Sequence, residues 1–181
     1  MSRIRVYADQ SPDTPQQESD DHADIAGILA TAGVLFERWK TDQPLAPGAS
    51  QDAVIEAYRA DIDRLISEQG YQTVDVISLN ADHPDKATLR QKFLDEHRHS
   101  EDEVRFFVAG SGLFSLHIDD KVYEVLCGQG DLISVPANTP HWFDMGPNPS
   151  FIAIRLFNNP DGWVANFTGS DIASRFPRLE N

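Results

Sequence analysis

The stretch VRFFVAGSGLFSLHIDDKVYEVL, residues 104–126, decides the fold of this chain, together with DLISV at 131–135 and FIAIRLF at 151–157. Each run is short and rich in β-branched and aromatic residues, and turn residues separate the runs at intervals of roughly ten residues. Asp119 and Asp120 lie where a tight hairpin turn is expected. Such regular spacing is typical of an all-β barrel or sandwich.

The first half of the chain has a mixed pattern of helices and strands. We predict strands over residues 4–7, 34–39 and 73–79 and helices over 25–32, 55–66 and 86–94. Gly33 and Gly70 follow the first two helices, where glycine commonly ends a helix. We expect one domain over residues 1–181, in which residues 1–90 pack on a metal-binding β core at 91–169.

Composition excludes several partners. The formal net charge is −14, which repels phosphate backbones and anionic membrane surfaces, so we expect neither nucleic acid nor a membrane as partner. Cys127 is the only cysteine, so no intramolecular disulfide can form. The first residues lack the apolar stretch of a secretory signal, and no apolar run approaches the ~18 residues of a membrane span. We therefore expect a cytoplasmic protein. No amphipathic heptad or long apolar edge indicates a subunit interface, so we also expect a monomer.

A cluster of metal-ligand residues lies just before the first β-rich run. Residues 96–103 read EHRHSEDE, and a third histidine follows the turn segment PANTPH. His97 and His99 share one face of a strand about 6.6 Å apart. Glu103 can turn its carboxylate onto the same ion, and His141 enters from a neighbouring strand. These four residues predict a metal site with three nitrogen ligands and one oxygen ligand.

The ligand set also indicates the kind of metal and site. Imidazoles and a carboxylate without thiolate favour Fe, Ni, Mn, Co, Cu or Zn over Ca or Mg. In an octahedron, four protein ligands leave two open positions, which favours catalysis over a closed structural site. A single histidine in a β-protein is usually an ordinary polar residue. His117 lies on a strand without a ligand partner at useful spacing, so we do not expect it to bind the metal.

The same residues resemble the cupin superfamily. Its first motif, HxHxxxE followed by glycine, matches His97, His99, Glu103 and Gly110, and its second matches Gly130, Pro136 and His141. Departures occur at Gln91, Asn138 and Met145, none of which is a predicted ligand. The resemblance implies a mainly β fold, a jelly-roll-like cupin barrel with a few helices, mostly in the N-terminal half.

Within the cupins, the chain looks like the acireductone dioxygenase family of methionine salvage. The stretches EHRHSEDEVRFFVAGSGLF, VPANTPHWFD and RLFNNPDGWVANFTG carry this resemblance over most of residues 74–169. It implies one Fe(II) or Ni(II) per chain and cleavage of 1,2-dihydroxy-3-keto-5-methylthiopentene by O2. Iron would give formate and 4-methylthio-2-oxobutanoate, and nickel would give formate, carbon monoxide and 3-methylthiopropanoate. An ene-diolate would fill both open positions, with the metal acting as Lewis acid and template.

Further residues near the predicted site have more than one interpretation. Arg105 shares a strand face with Glu103, so its guanidinium could hold an anionic oxygen of the substrate or pair with a buried carboxylate. Glu96 could be a base for the enediol proton, a hydrogen-bond partner of the site, or an exposed acid. Phe93, Phe143 and Trp163 could line a pocket for the methylthio tail or belong to the core, because sulfur contacts aromatic rings favourably.

Other functions stay open at this point. A dioxygenase of a different substrate or a sugar-phosphate isomerase would share the same ligand motif, and an isomerase would need no O2. A non-catalytic, metal-dependent binding cupin would hold a ligand without turnover. A purely structural metal site would predict that chelation unfolds the β half.

Overall fold

Two antiparallel sheets face each other in the computed structural model, which describes residues 1–159, 161 and 164–181. The larger sheet has the order β12-β5-β10-β7-β8-β1-β2. Its strands are β1 (Arg3–Ala8), β2 (Gln17–Ser19), β5 (His97–Arg98), β7 (Gly112–Ile118), β8 (Lys121–Cys127), β10 (His141–Asp144) and β12 (Asn166–Phe167). The predicted mainly β, jelly-roll-like architecture is confirmed.

The smaller sheet and the helices complete the architecture. The sheet has the order β3-β9-β6-β11-β4, with β3 (Leu35–Arg38), β4 (Thr73–Leu79), β6 (Glu103–Gly110), β9 (Asp131–Val135) and β11 (Phe151–Phe157). The helices are α1 (His22–Thr31), α2 (Gln51–Ala57), α3 (Arg59–Gln69) and α4 (Lys86–Leu94), followed by a 3-10 turn at Ile172–Arg175. None of these described helices has the length and apolarity needed to cross a membrane.

Residues 1–90 supply four strands to the sheets, two to each. Residues on the two sides of position 90 therefore do not form separate structural units, because both contribute strands to the same barrel. We propose on this ground that the chain works as one domain. Apolar side chains fill much of the space between the sheets, and Phe107, Phe114, Phe143 and Phe151 are all buried there with contacts between their rings.

The prediction of one continuous helix over residues 55–66 is wrong, because the structure has two helices that meet at Tyr58. The Tyr58 side chain is buried, its hydroxyl donates to the carbonyl of Gln43, and its ring packs edge-on against Phe106 at 5.8 Å. These tertiary contacts hold the tyrosine where its backbone leaves helical geometry, at φ −110°. Gly70 ends α3 at φ 75°, as predicted.

Asp144 ties three parts of the chain together at the end of β10. Arg90 of α4 donates to both of its carboxylate oxygens at 2.8 and 3.1 Å, and the amides of Gly146 and Leu179 donate at 2.8 and 2.9 Å. Burial alone would raise the pKa of Asp144, but the Arg90 guanidinium and the two amides hold it below its usual value. Ionised Asp144 therefore fastens α4 and the C-terminal segment to the barrel.

We expect Asp144→Asn to lower the free energy of unfolding by about 3 kcal/mol at pH 7, because it breaks a pair with a buried carboxylate. The folded pKa lies below the unfolded one, so the carboxylate stabilises the protein above the unfolded pKa, and this contribution is lost as the pH falls through the folded pKa. Urea unfolding between pH 7 and pH 3 measures both effects. A variant that retains the wild-type loss of stability on acidification would contradict this role.

Candidate metal centre

The four predicted ligands meet inside the barrel. His97 lies in β5 and His99 just after it, Glu103 begins β6, and His141 begins β10. His97 and His141 are direct cross-strand partners. All four side chains are buried, with at most 5% of each residue exposed. One ring nitrogen from each histidine lies within 4.8 Å of the others, so the three imidazoles could hold a metal ion.

Backbone carbonyls fix the orientation of all three imidazoles. The Nδ1 atoms of His97, His99 and His141 lie 2.8, 3.1 and 2.8 Å from the carbonyl oxygens of Asp95, Val164 and Thr139. A ring that donates from Nδ1 keeps a free electron pair on Nε2, which is the form that binds a metal. Burial lowers the pKa of His97, and burial together with His97 lowers the pKa of His141 to about 3, which keeps both rings neutral.

Glu103 presents one carboxylate oxygen to these rings. Its Oε2 lies 2.9 Å from Nε2 of His99 and 4.0 Å from Nε2 of His141. Adjacent ligand atoms on an octahedral ion with bonds of about 2.1 Å lie about 3.0 Å apart, and opposite ones about 4.2 Å. This Oε2 is buried and has no hydrogen-bond partner in the described part of the chain. An oxygen left without a donor at these distances fits a metal ligand.

Arg105 holds the other oxygen of Glu103. Its Nε donates to Oε1 at 3.0 Å, and a second guanidinium nitrogen donates to the same oxygen. Burial alone would raise the pKa of Glu103, but the positive charge of Arg105 holds it well below its usual range. The guanidinium lies over the rings of Phe114 and Phe143 at 4.7 and 4.8 Å. Its Nη1 is buried without a hydrogen-bond partner among the described residues, so it can still donate.

A second buried arginine, which our sequence interpretation missed, lies next to Arg105. Arg155 of β11 is its cross-strand partner, and Nε of Arg155 donates to Asp75 at 2.8 Å. Partners in register point to the same face of a sheet, so both guanidinium groups belong to the barrel interior. The signal was present in FIAIRLF, where alternation puts a lone arginine on the same face as Phe157.

Glu96 points away from the three imidazoles. Its carboxylate accepts from Thr168 at 2.8 Å and from Nδ1 of His117 at 2.8 Å. Leu116 is the partner of His141, so His117, the next residue along β7, projects from the opposite face of the sheet. The structure therefore separates Glu96 from the ligand cluster. This arrangement favours the hydrogen-bonding role over the role of base.

The three aromatic residues considered for a pocket have different surroundings. Phe143 is buried beside Arg105, and Phe93 of α4 is half-buried and contacts it edge-on at 6.4 Å. Trp163 lies outside the described residues. An aromatic residue that our sequence interpretation missed, Phe167, is the cross-strand partner of His97, has 59% of its surface exposed, and lies 5.8 Å from the His97 ring.

A double-sheet β barrel with three inward-facing imidazoles and a free carboxylate oxygen defines the class of this protein, a cupin that could hold a divalent metal. A family model described as the ARD/ARD' family matches residues 3–165. Proteins named acireductone dioxygenase are 66% identical over 178 residues in Alcanivorax borkumensis, covering 98% of each chain, and 67% identical over 181 residues in Pseudomonas syringae pv. tomato, covering all of each. The chain belongs to the ARD/ARD' family.

A solved structure agrees with this membership. The acireductone dioxygenase from Bacillus anthracis, described with a cadmium ion in its active centre, is 29% identical, with a TM-score of 0.80 over 92% of this chain and 98% of that one. The resemblance inferred from the sequence is thereby confirmed. Family and site together make the chain a metal-dependent cupin dioxygenase.

Proposed function

We propose that this chain cleaves 1,2-dihydroxy-3-keto-5-methylthiopentene with O2 in methionine salvage. The observation that carries the proposal is the convergence of three buried imidazoles and one carboxylate oxygen without a hydrogen-bond partner among the described residues. The substrate follows from relatives named acireductone dioxygenase that match nearly the whole chain. Small-molecule substrate and O2 are the partners of this reaction.

The metal in this proposal is one Fe(II) or Ni(II), held by His97, His99, Glu103 and His141. When bound, the ion supplies Lewis acidity and a template on which two adjacent oxygens of the substrate are oriented. Four protein ligands leave two of six positions for those oxygens. With iron bound, the products would be formate and 4-methylthio-2-oxobutanoate, and with nickel bound they would be formate, carbon monoxide and 3-methylthiopropanoate. The cadmium in the Bacillus anthracis relative supports a divalent ion at the family's site.

Arg105 has two tasks in this proposal. It keeps Glu103 ionised, because removing its charge would leave a carboxylate buried beside apolar rings. The unpartnered Nη1 is free to donate to an anionic oxygen of the substrate. A fixed donor in a site from which aromatic rings exclude water interacts with developing charge more strongly than it would in bulk water. Arg155, paired with Asp75, adds a second positive group on the same interior face.

We assign to Phe93, Phe143 and Trp163 the apolar surroundings that would contact the methylthio tail. The support is the edge contact of Phe93 with Phe143 and the position of Phe143 beside Arg105. The assignment of Trp163 rests on the sequence alone. For Glu96 we propose a supporting role through its hydrogen bonds to Thr168 and His117, because its carboxylate faces away from the imidazoles.

We further propose a cytoplasmic monomer that binds neither nucleic acid nor membranes. The net charge of −14 supports the exclusion of polyanionic partners. The single thiol, Cys127, is buried, and burial raises its pKa well above the usual value, so it would not pair with a second chain. Gel filtration of the purified protein measures the oligomeric state.

Metal exchange tests the proposed function. The protein is stripped of metal, reloaded separately with Fe(II) and Ni(II), and supplied with the acireductone under air. We expect O2 uptake with both ions and carbon monoxide with nickel alone. O2 uptake is followed with an electrode and the products by gas and liquid chromatography. No O2 uptake with either ion would overturn the proposal in favour of an isomerase or a binding protein.

A further inference from the structure

Four residues that are distant in sequence form a hydrogen-bonded bridge on the outer face of the larger sheet. Glu96 accepts from the Thr168 hydroxyl on Oε1 and from Nδ1 of His117 on Oε2, both at 2.8 Å. Nε2 of His117 lies 3.2 Å from Oδ2 of Asp9, at the end of β1. The bridge thus links the segments before β5, after β12, within β7 and after β1. We call these four residues the outer bridge.

The outer bridge lies behind the metal ligands, with the sheet between them. His117 pairs with Val122, which packs with Trp142 and Phe176 beneath the C-terminal 3-10 turn. His141 pairs instead with Leu116, which belongs to the core between the sheets. Adjacent residues of a strand point to opposite faces, so the bridge and the imidazoles occupy opposite faces. None of its side chains could therefore act directly on a substrate at the ligand cluster.

The strand that carries His97 has little backbone support. β5 has two residues, pairs with β10 through one residue pair, and pairs with β12 through two. Such short pairings fix a strand weakly, because each ladder hydrogen bond contributes only about 1 kcal/mol net. Glu96 directly precedes His97, its carbonyl accepts from the Thr168 amide at 3.1 Å, and its side chain is only 4% exposed. Its two side-chain hydrogen bonds, to Thr168 and His117, therefore add two fixed points immediately before the ligand.

We propose that His117, held by Asp9, is a positioning residue for the metal site. By fixing the Glu96 carboxylate, it sets the backbone position of His97 and therefore the direction of the His97 Nε2 lone pair. Groups that orient metal ligands without touching the ion change metal affinity by about 10- to 100-fold when they are removed. This inference rests on the proposed function only in taking His97 as a metal ligand.

Nickel affinity of purified variants tests the inference without any turnover. We expect His117→Ala to weaken Ni(II) binding about 10- to 100-fold, measured by competition with a chelator. His117→Asn keeps an N–H donor near the Nδ1 position and should recover most of the lost affinity. Asp9→Ala removes only the outer contact and should cause a smaller loss in the same direction. If His117→Ala does not fold, the nickel affinities of Asp9→Ala and His117→Asn decide whether the inference holds.

A matched control separates positioning from general stability. His22 is also a partly buried histidine near a carboxylate, with Nε2 3.9 Å from Asp131, but it lies on α1 outside the ligand cluster. His22→Ala should leave nickel affinity unchanged even if it lowers the melting temperature of the metal-free protein. The inference would be overturned if His117→Ala bound nickel with wild-type affinity. It would also be overturned if His117→Ala and His22→Ala lost nickel affinity equally. A wild-type protein that binds nickel but consumes no O2 would refute the proposed function alone.

Discussion

Replacing His141 with alanine is expected to abolish O2 uptake and to weaken Ni(II) or Fe(II) binding by more than about 100-fold. Loss of a residue that merely orients a ligand lowers metal affinity by about 10- to 100-fold, so loss of a ligand itself should lower it further. His141 is buried and in register with His97, and burial together with the neighbouring His97 lowers its pKa to about 3, so its ring is neutral at physiological pH. Metal content by mass spectrometry and O2 uptake by electrode measure the two losses.

The control for this experiment is His83→Ala. His83 accepts the amide of Asp85 before α4 and lies outside the ligand cluster, so its variant should bind metal and turn over like the wild type. An intact metal stoichiometry in His141→Ala would show that the ion is held elsewhere. Loss of folding in the metal-free variant is excluded by comparing its circular dichroism with that of the metal-free wild type.

Replacing Arg105 with methionine is expected to lower kcat by about 100-fold or more, as the loss of one preorganised donor commonly does. Methionine keeps an apolar stem between Phe114 and Phe143 but removes the charge. Glu103 is then left as an unpaired buried carboxylate, so the metal-free protein should lose about 3–5 kcal/mol of unfolding free energy. A bound divalent ion replaces part of the missing positive charge, so the metal-loaded protein should lose less stability than the metal-free one.

Three measurements distinguish these effects in Arg105→Met: steady-state O2 uptake, metal content, and urea unfolding with and without metal. We expect turnover to fall much further than metal content. Arg98→Met is the matched control, because Arg98 lies in the same short strand as His97 but is exposed to solvent. If Arg105→Met retains wild-type kcat after metal loading, the guanidinium serves only to neutralise Glu103.

Much of the fold and the ligand set could be predicted because both depend on local patterns. Alternation fixes strands such as β4, for which the predicted and observed bounds agree at residues 73–79. The spacing of HxHxxxE puts two imidazoles on one strand face and the carboxylate within reach, and the structure brings these residues together with His141. Hydrophobic periodicity predicts helices for the same reason, since it reflects which face each residue turns to the core.

Other features depend on contacts that no local pattern contains. The break at Tyr58 follows from its burial against Phe106, 48 residues further along the chain. The partners of His117 are 21 and 108 residues away, so its surroundings could not be inferred from LFSLHID. The face of Glu96 and the interior position of Arg155 were accessible through alternation alone. Ligand spacing alone does not show which face of a sheet a side chain occupies, and the cross-strand pairings supply that information.

The placement of β5 between β10 and β12 has a consequence for how the protein acquires its ion. During translation, His97 and His99 leave the ribosome well before His141, and the strand that completes their side of the sheet, Asn166–Phe167, emerges later still. A nascent chain therefore offers only a partial chelate with few geometric restraints. The pairing of His97 with both neighbouring strands can therefore form only after residue 167 has been made, so the complete ligand set belongs to the folded barrel and not to the growing chain.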